Sequence, residues 1–104
     1  MKNWIFNLFS ISKLLQTVNG ILVCAYFSVP KGDVLGKKKS KDIVEPRMIA
    51  QYLIDEYLGL PLLSIGKFFG RDHSTIVYAR DKISERLKTD VQLQEVIAEI
   101  KNNI

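Results

Sequence analysis

The sequence holds one cysteine, one histidine and one tryptophan among 104 residues. A single Cys24 excludes an internal disulfide framework. It lies in the apolar run GILVCAYF, where a thiol behaves as a small buried hydrophobe. With one His and one Cys, too few ligands exist for a structural zinc site. Residues 1–30 contain no acid, two lysines (Lys2 and Lys13) and the aromatic residues Trp4, Phe6, Phe9, Tyr26 and Phe27. Asn7, Ser10, Ser12, Lys13, Gln16, Thr17 and Asn19 interrupt that stretch too often for a membrane span of about 20 residues. An amphipathic helix over residues 1–18, resting on a membrane surface, on a second copy of the chain or on the module itself, fits the spacing of Ile5, Leu8, Phe9, Ile11, Leu15 and Val18. A phosphate-loop pattern G-x-x-x-x-G-K-[ST] is also missing.

The length suits one small domain with a modest core. Fifteen basic against eleven acidic residues give a net charge of +4 and a pI near 9.3. That excess is compatible with a nucleic-acid partner without requiring one.

The apolar period is helical from end to end, and no strand-like alternation persists. After a turn signal at Asn19-Gly20, ILVCAYFSV is a short apolar segment ending before Pro30, and PKGDVLG reads as a loop or single turn. KKKSK, Lys37 to Lys41, is the one charge run, a solvated hinge by default. A helix is expected from Asp42, acting as N-cap, or from Val44 if Pro46 occupies its first turn. Ile49, Ala50, Leu53, Ile54 and Tyr57 form its inner stripe, and Gly59 ends it. A short helix follows with Leu62, Ile65 and Phe69 facing in and Gly70 as its stop. The next helix opens at Asp72 and runs to about Lys88 on an inner row of Ile76, Ala79, Ile83 and Leu87. A last helix after Thr89-Asp90 turns Val91 or Leu93, Val96, Ile97 and Ile100 inward. The expected fold class is all-α: a small helical domain with a helix-turn-helix motif, preceded by an amphipathic N-terminal helix. The expected divisions are an apolar helix at 1–22, a short helix and basic linker at 23–41, and the helix-turn-helix domain at 42–104.

A short helix, a glycine-containing turn of about three residues and a longer helix make the helix-turn-helix pattern. In such motifs the start of the second helix enters the major groove. Here that start is Asp72-His73-Ser74-Thr75. Asp72 can accept from the free amides of the first turn or from a base amino group. His73 and Ser74 precede the buried row and project outward. Thr75 can donate to a phosphate, and Arg71 adds a cation. A catalytic Asp72-His73 pair is the competing reading, but neighbours along a helix do not face each other, and no nucleophile or orienting acid accompanies them. The plainest reading makes Asp72 a cap and His73 a surface residue.

GRDHSTIVYARDKI resembles the signature of the C-terminal DNA-binding domain of DnaA, the bacterial replication initiator. The upstream VLGKKKSKDIVEPRMIAQYLIDEYLGLPLLSIG and the tail LQEVIAEIK extend the resemblance from about Val23 to Ile104. It implies an all-helical domain that binds the asymmetric DnaA box in double-stranded DNA. By matching position it places Arg71, Asp72, His73 and Ser74 on major-groove contacts and Thr75 on a phosphate. It sets Tyr78 beside the backbone, Arg47 on a phosphate, Lys39 in the minor groove, and Leu62 and Leu63 on thymine methyls. Several positions depart from the pattern. Lys39 replaces an arginine, Leu63 a common proline and Met48 a common glutamine; Asp55 sits where some members carry lysine, and one glycine precedes Arg71 where many members have two. The family's ATPase module has no counterpart here, so the chain is expected to need no cofactor, no metal and no catalytic residue of its own. A cytoplasmic, nucleoid-associated protein acting in replication initiation or its regulation is the expectation. Two alternatives are a stand-alone or transposase-associated helix-turn-helix regulator, and a helical protein-interaction adaptor.

Overall fold

The computed structural model describes residues 26–102, with the side chains of Lys31, Tyr57 and Leu58 not described. The amphipathic segment at residues 1–18, Cys24 and the inward side chain expected of Tyr57 lie outside that description. Among the described residues five helices have defined bounds: α1 Lys31–Leu35, α2 Lys41–Leu58, α3 Leu62–Phe69, α4 His73–Arg86 and α5 Val91–Asn102. Every one of these elements is helical, as the apolar period requires.

α2 is the spine. It packs against α1, α3 and α4, and α3 packs against α4. Ile49, Ala50, Leu53 and Ile54 recur on one face of α2 and are all buried. Ile65 and Phe69 of α3, Ile76, Ala79 and Ile83 of α4, and Leu93, Ile97 and Ile100 of α5 close over them. Each large aliphatic side chain so buried contributes about 1.5–3 kcal/mol. Leu93 rather than Val91 faces in, since Val91 is 63% exposed.

α2 starts earlier than its proline suggests. The amides of Ile43 and Val44 both close on the Ser40 carbonyl, so Lys41 is the first helical residue and Pro46 lies inside the helix. A proline there leaves one carbonyl without its helical donor. The earlier start is held by Ile43, which at 2% exposure is fixed in the interior. Asp42, expected as the cap, instead sits in the first turn, where its charge favours the helix dipole.

PKGDVLG forms the single turn α1, and its Val34 is fully buried in the common core. Phe27, Val29 and Leu35 pack against that core. The stretch ahead of the lysine run is therefore part of the domain's interior. A clamp at the far end joins three elements: Arg86 of α4 reaches Glu45 of α2 at 3.1 Å and Asp90, just before α5, at 3.0 Å. Asp90 also accepts from the Leu93 amide at 3.0 Å, capping α5.

Candidate nucleic-acid interface

The turn between α3 and α4 is specified atom by atom. Gly70 adopts the left-handed conformation at φ 64°, which glycine alone takes without a Cβ penalty. The Gly70 amide donates to the Lys67 carbonyl at 3.1 Å and the Arg71 amide to Gly66 at 2.8 Å, the Schellman pattern that closes a helix and reverses the chain. Gly66 is packed so tightly against this turn that a Cβ there would lie 2.6 Å from the Arg71 carbonyl oxygen. α3 and the turn are held together by that close approach.

Asp72 then caps α4. Its carboxylate accepts from the His73 amide at 3.0 Å and from the Ser74 hydroxyl at 2.9 Å. The Ser74 hydroxyl is the main reason its acidity is raised, pulling its pKa below the ordinary carboxylate value, with His73 adding to the effect. His73 Nδ1 lies 3.4 Å from the same carboxylate. The rule that helical neighbours do not face each other fails for this pair. Asp72 is outside the helix in extended geometry, and its side chain folds back over the first turn. Both side chains are more than half exposed, so the contact is a cap on an open corner.

The remaining positions fall into three groups. Asp72, His73, Ser74 and Thr75 line the exposed start of α4, with Tyr78, 60% exposed, one turn further on. Leu63 is 62% exposed on α3, while Leu62 is half-buried against the core. Lys39 lies in the exposed run Lys37 to Lys41. A cavity of about 180 Å³ between α2 and α4 gathers Lys39, Arg47, Arg71, Thr75 and Tyr78 around one hollow. Leu62, Leu63 and the Asp72-His73-Ser74 corner do not line it.

The two arginines are more deeply engaged than their sequence positions suggest. Arg47, 4% exposed, donates from Nε to the Val34 carbonyl and from Nη2 to Asp33, both at 2.8 Å. Arg71 donates from Nη2 to the Gly36 carbonyl at 2.6 Å. Burial lowers the pKa of Arg47, and the charge of Arg71 lowers it further against the opposing pull of Asp33. Arg47 therefore ties the α1 segment to α2, and Arg71 ties the start of the lysine run to the helix-turn-helix. Sequence reasoning missed Val34 and Gly66, whose parts are set by tertiary neighbours; the glycine four residues before Gly70 was the one visible signal.

Among the described residues no cluster of His, Cys, Asp and Glu could hold a metal, and no helix is long and apolar enough to cross a membrane.

Residues 21–83 match the family model described as the bacterial dnaA protein helix-turn-helix. The chain is 48% identical over 83 residues to the chromosomal replication initiator protein DnaA of Levilactobacillus brevis. It is 42% identical over 82 residues to that of Caldanaerobacter subterraneus and 44% over 80 residues to that of Lactococcus lactis. These alignments cover 76–79% of this chain but 18% of each relative. The chain thus spans less than a fifth of the length of the relatives it matches.

Proposed function

We propose that this chain, which belongs to the bacterial DnaA helix-turn-helix family, binds double-stranded DNA at DnaA-box-like sites and serves replication initiation or its regulation. The observation that carries this reading is the presentation of α4. A Schellman turn and an Asp72 cap hold His73, Ser74 and Thr75 outward at a helix start, beside a hollow whose charged side chains are all cationic. A helix start so presented fits the major groove. Base edges are then met by Asp72, His73 and Ser74, with Arg71 beside them and Leu62 and Leu63 toward thymine methyls. Thr75, Tyr78, Arg47 and the lysine run follow the backbone, and Lys39 enters the minor groove. The module acts without catalysis or cofactor of its own, in the cytoplasm on the nucleoid.

The test is selection of preferred duplexes from a random pool, followed by affinity measurements across salt concentrations. A box-like winner with steep salt dependence supports the reading. A helical adaptor binds no duplex, and a stand-alone regulator selects an unrelated sequence.

A further inference from the structure

We propose that Gln51 and Arg71 form the floor of a seat for one backbone phosphate of the bound duplex. The proposal rests on the DNA-binding reading above and assigns a contact residue, Gln51, that sequence resemblance did not supply.

Gln51 is one helical turn after Arg47, and both side chains line the hollow between α2 and α4. At 1% exposure Gln51 occupies an interior position, yet its Nε2 is buried without a partner. Arg71 repeats the pattern: Nη2 is satisfied by Gly36, while its buried Nε has no acceptor. These two are the orphaned buried side-chain atoms among the described residues, and they share one cavity. A buried donor without an acceptor is costly, and native structures hold few of them. A leucine at position 51 would avoid the cost.

The missing partner must be an acceptor. Lys39, Arg47, Arg71, Gln51 and the Thr75 hydroxyl bring donors to the hollow, and no carboxylate lines it. The neighbouring cavity between α2, α4 and α5 differs, because Glu45 and Asp90 there neutralise Arg86. An anion between Arg47 and Arg71 would relieve their mutual repulsion, which adds to burial in lowering the pKa of Arg47. A phosphate supplies several acceptor oxygens at once and forms charge-assisted bonds to such donors. Of the residues lining the hollow, Lys39, Thr75 and Tyr78 are exposed and Met48 is half-buried, and the long side chains of Lys39, Met48 and Tyr78 can swing aside to admit an oxygen. The exposed lining residues lie on the lysine run and in the first half of α4, the face the duplex would occupy.

The experiment replaces single phosphates of the tightest pool-selected duplex by neutral methylphosphonates, one position at a time. Binding is measured with the native chain, Gln51→Leu and Gln51→Glu. The native chain is expected to lose roughly tenfold or more at one particular phosphate. Gln51→Leu should bind the unmodified duplex weaker by a similar factor and lose nothing further at that phosphate. Its melting temperature in the absence of DNA should hold or rise, since an orphaned donor has been removed. Gln51→Glu should weaken the unmodified duplex still more and recover at the neutralised position. Should Gln51→Leu fail to fold, the recovery by Gln51→Glu decides alone. Native-like affinity of a folded Gln51→Leu, or losses that add at every phosphate, overturns the seat and leaves the DNA reading standing. Failure of the native chain to bind any duplex overturns both.

Discussion

Arg47 and Arg71, 24 positions apart in sequence, hold the same short segment: Arg47 takes the carbonyls of Asp33 and Val34, and Arg71 takes that of Gly36. The lysine run begins at the next residue. The position from which Lys37 to Lys41 depart is thus fixed by two side chains, one on α2 and one in the turn before α4. Arg47→Leu should destabilise the fold by roughly 2–4 kcal/mol, because two carbonyls lose charge-assisted donors. Arg47→Lys should rescue part of this, since an ammonium lacks the fork that reaches both carbonyls. Chemical denaturation of the three proteins checks the order.

Gly66→Ala tests the packing of α3 on its turn. The new methyl would lie 2.6 Å from the Arg71 carbonyl oxygen, a backbone atom that cannot move without distorting the start of α4. A loss of about 1–3 kcal/mol is expected. Gly32→Ala, at a position with open space around the glycine, should cost less. A Gly66→Ala protein as stable as the native chain would mean that the turn gives way freely.

Acid should weaken the fold through Asp72 and Asp90. The pKa of each is held below the usual carboxylate range, by the Ser74 hydroxyl at Asp72 and by the Leu93 amide and then Arg86 at Asp90. A depressed folded pKa gives stability that is present above the unfolded value of about 3.9 and is lost as pH falls through the folded value. Melting temperature followed downward from neutral pH should therefore drop from about pH 4. Asp90→Ala should lower it at neutral pH and flatten the acid limb; Asp72→Ala should do the same at the other helix start. An unchanged acid limb in both variants would assign acid sensitivity elsewhere.

For the lysine run, replacing Lys38 and Lys41 by glutamine should weaken all duplexes alike. The salt slope should shrink by about one per lost phosphate contact. The Lys38–Asp33 pair, 3.4 Å apart on an open surface, adds little stability, so the fold should survive. Lys39→Arg should tighten binding where the minor groove is narrow and A·T-rich. A constant slope would make the run a solvated hinge.

Much of the architecture was legible from local pattern. α2, α4 and α5 are long enough for the 3.6-residue period to emerge, and Gly59 and Gly70 mark helix ends by the left-handed conformation each adopts. The corner at Asp72 was legible because capping is local chemistry. α1 was legible only as a loop or single turn, since five residues hold little more than one turn and its Pro and Gly neighbours imitate a loop; the structure makes it the single turn. Val34 inherits its burial from α2, not from its own segment. The start of α2 was legible to within one residue at Asp42, while the later start at Val44 that Pro46 suggested is outweighed by the burial of Ile43. The burial of Arg47 was not legible, because its carbonyl partners lie 13 and 14 residues upstream. No local rule brings them together.

The central claim, that the start of α4 reads bases, is tested most directly by His73→Ala measured against two duplexes, the pool-selected site and its scrambled counterpart. His73 is exposed and outside the core, so the substitution should leave the fold intact. Specific affinity should fall by about 1–3 kcal/mol while binding to the scrambled duplex holds. Equal losses on both duplexes, or none on either, would contradict base reading by this corner.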